Sequence, residues 1–342
     1  MLVSESKNIG FSKLSNPDTI ETRLPLTLLT GFLGAGKTTL LNRYLKSEGA
    51  VGTAVLVNEF GEVDVDGAIL GASMGKNQLM SLPNGCVCCE VQDDLAEVLL
   101  GLTERRGSEG IQRCVIETTG LADPGSILRG VAHDPRLKDL VSVAQTICVA
   151  SAASISEQAE NFVEAAEQIA LADRVIITKS DLVETTELAS VKTDLVNRNP
   201  LAEIVVAMPA DAENLFNNPN RVAEVPLLEC LPRSLLRLVP QTHGHNHTHG
   251  ISTFSVELSG AIDKDVFRDV LSFWIMRHAE RLLRVKGILA FANEPKSQLM
   301  NITHDVCTIE PLDYPARPSP VVFIGIDLPA DEIRNDLQRC IA

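Results

Sequence analysis

Apolar and polar positions divide the first two thirds of the chain into short hydrophobic runs separated by helical stretches. Leu24–Thr30, 51–57, 113–116, 141–150, Arg174–Thr178 and 203–207 are dense in Val, Ile and Leu and too short for helices. Each predicts a strand buried on both faces. Residues 39–46, 93–105, 156–172 and 187–197 instead place apolar side chains three and four apart, the spacing of an amphipathic helix. Strands alternating with helices predict an α/β layer, a parallel sheet covered by helices on both faces.

The pattern changes after residue 212. Asn and Pro clusters, then His243, His245, His247 and His249 spaced two apart, predict a linker over 213–250. Beyond it, 251–258, 286–292, 298–302, 307–310 and 321–327 read as strands, and 264–277 and 330–340 as helices. Grouped strands with few helices predict a smaller α+β domain. The expected organisation is a polar tail over 1–23, a main domain over 24–212, the linker, and a second domain over 251–342.

Composition narrows the function classes. With 45% hydrophobic and 22% charged residues the chain is ordinary for a globular protein. A net charge of −15 argues against nucleic acid and anionic membrane as partners. Residues 1–23 lack the apolar core of a signal peptide, and no apolar run is long enough to span a bilayer. Eight cysteines without a secretory signal predict a reducing, cytoplasmic setting in which thiols stay free or hold metal.

The chemistry is concentrated where predicted strands end. Gly31-Phe-Leu-Gly-Ala-Gly-Lys-Thr-Thr39 fits Gly-x-x-x-x-Gly-Lys-Ser/Thr between a strand and a helix. In such a loop the backbone at Gly31, Gly34, Ala35, Gly36 and Thr39 wraps phosphates without side-chain clashes. Lys37 would neutralise the β- and γ-phosphates, and the Thr38 hydroxyl would ligate Mg²⁺. Glu117-Thr-Thr-Gly120 closes another strand and suits a carboxylate near Mg²⁺ followed by an amide that senses the γ-phosphate. Thr178-Lys-Ser-Asp181 closes a third. Asp181 would accept from guanine N1–H and N2–H₂, with the Lys179 stem over the ring, which favours GTP over ATP. Thr178 lacks the amide that Asn carries in the usual guanine motif.

Two further clusters suggest a second ligand. Cys86, Cys88 and Cys89 follow a Pro-Asn-Gly turn, and soft thiolates suit Zn²⁺, Co²⁺ or Cu(I). Neighbouring Cys88 and Cys89 point to different sides, so two thiols plus a distant ligand fit better than one complete tetrahedron, and an incomplete shell favours exchange. A disulfide-forming pair is the alternative. Glu59, Glu62, Asp64 and Asp66 form an acidic loop after the second strand that could support Mg²⁺ or the second metal, with Glu59 the best candidate for a functional carboxylate and the others solvated charges as the alternative. The four linker histidines would capture metal loosely. Cys114, Cys148, Cys230, Cys307 and Cys340 read as small buried hydrophobes.

Together these residues resemble the CobW-like family of P-loop GTPases, relatives of the nickel-delivery GTPases HypB and UreG. The resemblance rests on Gly31 to Thr39, Asn58-Glu-Phe-Gly61, Asn84-Gly-Cys-Val-Cys-Cys89, Glu117-Thr-Thr-Gly-Leu-Ala-Asp-Pro124 and Thr178-Lys-Ser-Asp181. Val285-Lys-Gly-Ile-Leu289 and Val322-Phe-Ile-Gly325 extend it to residue 340. It departs at Thr178, where Asn is usual, and at Ser151, where the family usually shows Asp. The resemblance implies a GTP-hydrolysing metallochaperone, with Lys37 and Glu117 in the catalytic centre. Cys86, Cys88, Cys89 and Glu59 would hold zinc or cobalt for delivery to a client protein or cofactor-synthesis enzyme. A nucleotide-dependent homodimer is among its expected assemblies. The other classes left open are a nucleotide-regulated metal store or sensor with negligible turnover, and a P-loop small-molecule kinase.

Overall fold

The computed structural model describes residues 23–57, 79–81, 89–207, 216, 250–312 and 318–342. A seven-stranded parallel sheet forms the main layer. Its strands are β1 (Leu24–Thr30), β2 (Thr53–Val57), β3 (Leu79–Ser81), β4 (Arg113–Glu117), β5 (Val141–Ser151), β6 (Arg174–Thr178) and β7 (Glu203–Val206), in the order β3-β2-β4-β1-β5-β6-β7. Central β1 leads to β2 on one side, whereas neighbouring β4 leads to β5 on the other. A crevice therefore opens at the carboxyl ends of these strands.

Helices α1 (Lys37–Leu45), α2 (Cys89–Glu109), α3 (Pro124–His133), α4 (Ile155–Asn161), α5 (Val163–Leu171) and α6 (Thr185–Arg198) cover both faces. Adjacent residues of one strand enter different cores. Leu28 packs with Leu56, Leu99 and Val131, while Leu29 packs with Leu41, Tyr44 and Val149. This is why the strands read as continuous apolar runs rather than alternating ones.

Local differences from the pattern have physical causes. The stretch 156–172 is two helices, because Phe162 between them is extended (φ −129°, ψ 121°). Its ring lies 4.8 Å from that of Phe32, so the break carries an aromatic contact to the loop after β1. Helix α3 was not expected, yet its start is written in Asp123-Pro124. The Asp123 carboxylate accepts from the amides of Gly125 (2.7 Å) and Ser126 (3.0 Å), and proline occupies the first turn. Edge strand β3 is only three residues long, too short for its pattern to register.

The second sheet is antiparallel, in the order β11-β10-β9-β12-β8. It comprises β8 (Ile251–Val256), β9 (Leu282–Leu289), β10 (Gln298–Thr303), β11 (Val306–Pro311) and β12 (Val321–Ile326), with α7 (Lys264–His278) and α8 (Ala330–Gln338). Phe267, Leu271 and Trp274 of α7 and Ile333 and Leu337 of α8 share one core with Val285, Met300 and Phe323. Among the described residues, no helix is long and apolar enough to cross a membrane.

The other sheet face meets the main layer. Ile251, Leu283 and Ile324 pack against Ala166, Ala170 and Leu171 of α5. Between them lies Arg284, only 2% exposed, which donates through Nη1 to Leu171 O (2.8 Å) and pairs through Nη2 with Asp173. Asp173 also accepts from the amide of Thr146 (2.8 Å). Burial pushes the Asp173 carboxyl up, but Arg284, Lys286 and the Thr146 amide outweigh it and hold it below the usual carboxylate range. Strand β9 begins at Leu282 rather than at residue 286, paired with β10 and β12, and its Arg284 is an interface anchor.

Replacing Asp173→Asn should cost about 2–3 kcal/mol, because Arg284 stays buried without its counter-ion. Asp173 keeps some solvent contact, which places the expected loss below that of a fully enclosed pair. Urea denaturation of the variant beside wild type measures it.

Candidate nucleotide site

Three loops meet at the carboxyl edge of the main sheet and enclose a cleft of about 860 Å³. The first follows β1. Gly31 approaches β5 so closely that an added Cβ would fall 2.2 Å from Val149 O, and its φ of 141° suits glycine alone. The Lys37 ammonium folds over this loop, donating to Gly31 O (2.7 Å). Helix α1 begins immediately there, so its unsatisfied amides face the cleft.

The second loop follows β4. Thr38 Oγ1 donates to Glu117 Oε1 at 2.7 Å, which places two hard oxygen donors side by side. That donor chemistry fits Mg²⁺. Gly120 lies against the first loop, where an added Cβ would fall 2.7 Å from the amide nitrogen of Leu33. A glycine is required by this approach of backbone to backbone. Leu33, Lys37, Thr38, Glu117, Gly120 and Lys179 all line the cleft.

The third loop follows β6, and here Thr178 has an unforeseen partner. Its hydroxyl donates to Ala35 O (2.6 Å), and the Lys179 ammonium donates to Gly34 O (2.8 Å). Thr178 thus ties the loop after β6 to the loop after β1. A hydroxyl needs only one acceptor for this, and the short residue suits the distance. Lys179 holds a left-handed conformation (φ 54°, ψ 32°), and exposed Asp181 sits in the short turn that follows.

The remaining candidates are placed as follows. Glu59, Glu62, Asp64, Asp66, Cys86, Cys88, Cys230, His243, His245, His247 and His249 lie outside the described residues, while Cys89 opens α2. Cys114, Cys148 and Cys340 are buried, and Cys307 is half-buried. Burial pushes the thiols of Cys114, Cys148 and Cys307 up to about 12, so these three stay protonated near neutrality and are poor metal ligands. Among the described residues, no group of three or more His, Cys, Asp or Glu is arranged to hold a metal ion.

With the geometry of the cleft in view, similarity to known proteins decides the family. Residues 25–206 match the CobW/HypB/UreG nucleotide-binding domain, and residues 251–341 match the cobalamin synthesis protein CobW C-terminal domain. The chain belongs to the CobW family. It is 33% identical over 316 residues to the zinc chaperone YjiA of Escherichia coli, covering 91% of this chain and 96% of that protein. It is 30% identical over 287 residues to the zinc-regulated GTPase metalloprotein activator 1 of Schizosaccharomyces pombe, covering 75% of this chain and 66% of the relative. The crystal structure of Zn(II)-bound YjiA GTPase from Escherichia coli superposes with a TM-score of 0.69 at 28% identity, covering 94% of this chain and 99% of that one. The CobW-family member described here therefore carries both the nucleotide-binding layer and the family's C-terminal domain.

One titratable group beside the second loop was invisible in the pattern. Glu167 on α5 is raised from its ordinary 4.5 to about 7, first by burial and then by Asp123 and Glu164, with Arg129 opposing. The folded protein therefore holds a proton that the unfolded chain releases, and this group's contribution to stability falls as pH rises from about 4.5 to about 7. Glu167→Gln should accordingly raise stability at pH 8 by on the order of 1 kcal/mol after allowance for solvent screening. Near pH 5 the variant and wild type should differ little. Thermal melts at the two pH values check the sign.

Proposed function

We propose that this CobW-family protein is a GTP-hydrolysing metallochaperone, with zinc as the favoured cargo. The observation that carries the reading is the packing of Gly120 against Leu33, beside the Thr38–Glu117 pair. A triphosphate in the first loop would set its terminal phosphate against the loop after β4, so that loop would feel the presence or loss of one phosphoryl group. Relatives named zinc chaperone and zinc-regulated GTPase support the choice of cargo.

In this reading Lys37 leaves the carbonyl of Gly31 to neutralise the β- and γ-phosphates, while the Gly34 to Thr39 backbone wraps them. Thr38 and Glu117 would hold magnesium, which would supply charge neutralisation at the phosphates. A water adds to the γ-phosphorus, the bond to the bridging β–γ oxygen breaks, and GDP and phosphate leave. The amide of Gly120 follows the departing phosphate. Cys86, Cys88 and Cys89, with Glu59, form the cargo site, tight with GTP and loosened by hydrolysis. His243, His245, His247 and His249 raise the local metal concentration.

Asp181 is assigned to guanine recognition. Asp181→Asn should turn preference from guanosine toward xanthosine triphosphate, because the amide donates where guanine N1–H needs an acceptor. Competition binding with GTP, XTP and ATP measures the shift. Equal wild-type affinity for GTP and ATP would remove Asp181 from this role.

The decisive experiment is anaerobic titration of Zn²⁺ and Co²⁺ into GDP-loaded and GTP-loaded protein. GTP should tighten metal binding at least as much as typical allosteric coupling does, about 5–150-fold, and metal should tighten GTP by the same factor. Replacing Cys88→Ser and Cys89→Ser together should erase the coupling while sparing GTP affinity, since hard hydroxyls replace soft thiolates. Identical metal affinity in the two nucleotide states refutes the delivery cycle and favours a metal store or sensor.

A further inference from the structure

The loop after β4 is gripped from behind by a residue that the apolar pattern conceals. Gln168, in the middle of α5, has no exposed surface. Its Nε2 donates to two carbonyls of that loop, Gly120 O and Ala122 O, each at 3.1 Å. Two acceptors on the same atom identify it as the nitrogen end of the amide. Its neighbours on the helix, Ala165, Ala166 and Ile169, are apolar and buried. Burying an amide in such surroundings is unfavourable unless its hydrogen bonds are made; the loop makes those of Nε2, while Oε1 has no partner among the described residues.

The geometry has a consequence for the cleft. All peptide bonds of the described residues are trans, so the N–H of Leu121 points opposite to the Gly120 carbonyl in their shared plane. Gln168 draws that carbonyl toward α5, and the Leu121 amide is turned the other way. Gly120 and Leu121 line the cleft, whereas no residue of α5 does. The same helix reaches the second domain, since Leu171 O accepts from Arg284 and Ala170 packs against the Ile251 and Leu283 cluster.

We propose that Gln168 is a positioning residue for GTP hydrolysis: by holding the carbonyls of Gly120 and Ala122 it aims the loop amides at the terminal phosphate, and through α5 it ties their direction to the C-terminal domain. This rests on the GTPase reading above. It adds a residue that touches neither nucleotide nor metal, and a route by which movement of the loop reaches the domain interface.

The test compares Mg²⁺-dependent GTP turnover by wild type, Gln168→Met and Gln168→Glu in the full chain. Wild type is measured first, and absence of turnover there would refute the GTPase reading itself. Gln168→Met keeps length and apolar burial but removes both donors. It should lower kcat about tenfold, less than direct loss of an oxyanion donor, with KM and GDP affinity within about threefold of wild type. Gln168→Glu supplies a second readout. Among carbonyls the introduced carboxyl ionises with difficulty, and once protonated it donates one hydrogen bond. Its turnover relative to wild type should therefore rise as pH falls from about 8 to about 6. Both proteins carry Glu167→Gln for this ratio, so that the neighbouring carboxyl does not titrate alongside the introduced one. An unchanged kcat in Gln168→Met, equal losses of kcat and GDP affinity, or a pH-independent ratio for Gln168→Glu would each overturn the proposal. Should Gln168→Met not fold, the pH ratio decides alone.

Discussion

Close approach of one backbone to another at the carboxyl edge of the parallel sheet is the constraint from which the site follows. Gly31 has no room for a Cβ beside Val149, and Gly120 has none beside Leu33. Remove those two contacts and the loops after β1 and β4 must separate. Thr38 would then lose the 2.7 Å contact with Glu117, and Thr178 would no longer reach Ala35. Hydrogen bonds this short tolerate little displacement. The glycines are thus the means by which donors from three separate strands converge on one cleft.

Convergence of this kind needs firm support behind it, and the helices supply it unevenly. Asp123 caps α3 through its carboxylate, which accepts from the amides of Gly125 and Ser126 and ends the loop after β4 firmly. Gln168 of α5 holds the middle of the same loop through Nε2, beside the loop's own hydrogen bond from the Ala122 amide to Thr119 O (3.2 Å).

The domain interface reuses the same helix. Arg284 and Asp173 form a buried charge pair at the end of α5, and an ion pair of this sort adds specificity of docking more readily than stability. The apolar contacts around it set the small Ala166 and Ala170 against the larger Ile251, Leu283 and Ile324. His304, in a left-handed turn between β10 and β11, approaches Gly125 so closely that an added Cβ would lie 2.1 Å from its Nε2. The C-terminal domain therefore touches α3 and α5, the two helices that bracket the loop after β4. Glu167, next to Gln168 in sequence, brings a proton equilibrium near neutrality to the same helix.

By itself the sequence determined the α/β layer, the antiparallel second domain and the three loops that meet at the cleft. Strands buried on both faces must be continuously apolar, and a phosphate loop must place glycine and lysine at set spacing. Such requirements act on neighbouring residues and so are legible locally. Asp123-Pro124 carries a helix-start signal of the same local kind, but α3 was not among the expected helices. The partners of buried polar groups were decided only in three dimensions. Gln168 sits among apolar neighbours and Arg284 in a charged run. Neither pattern names the carbonyls of Gly120 and Leu171, because those lie 48 and 113 residues away in the chain. Thr178 looked like a lost amide until Ala35 was found 2.6 Å from its hydroxyl. A buried donor must be satisfied somewhere, but which distant backbone satisfies it depends on how the helices and sheets pack.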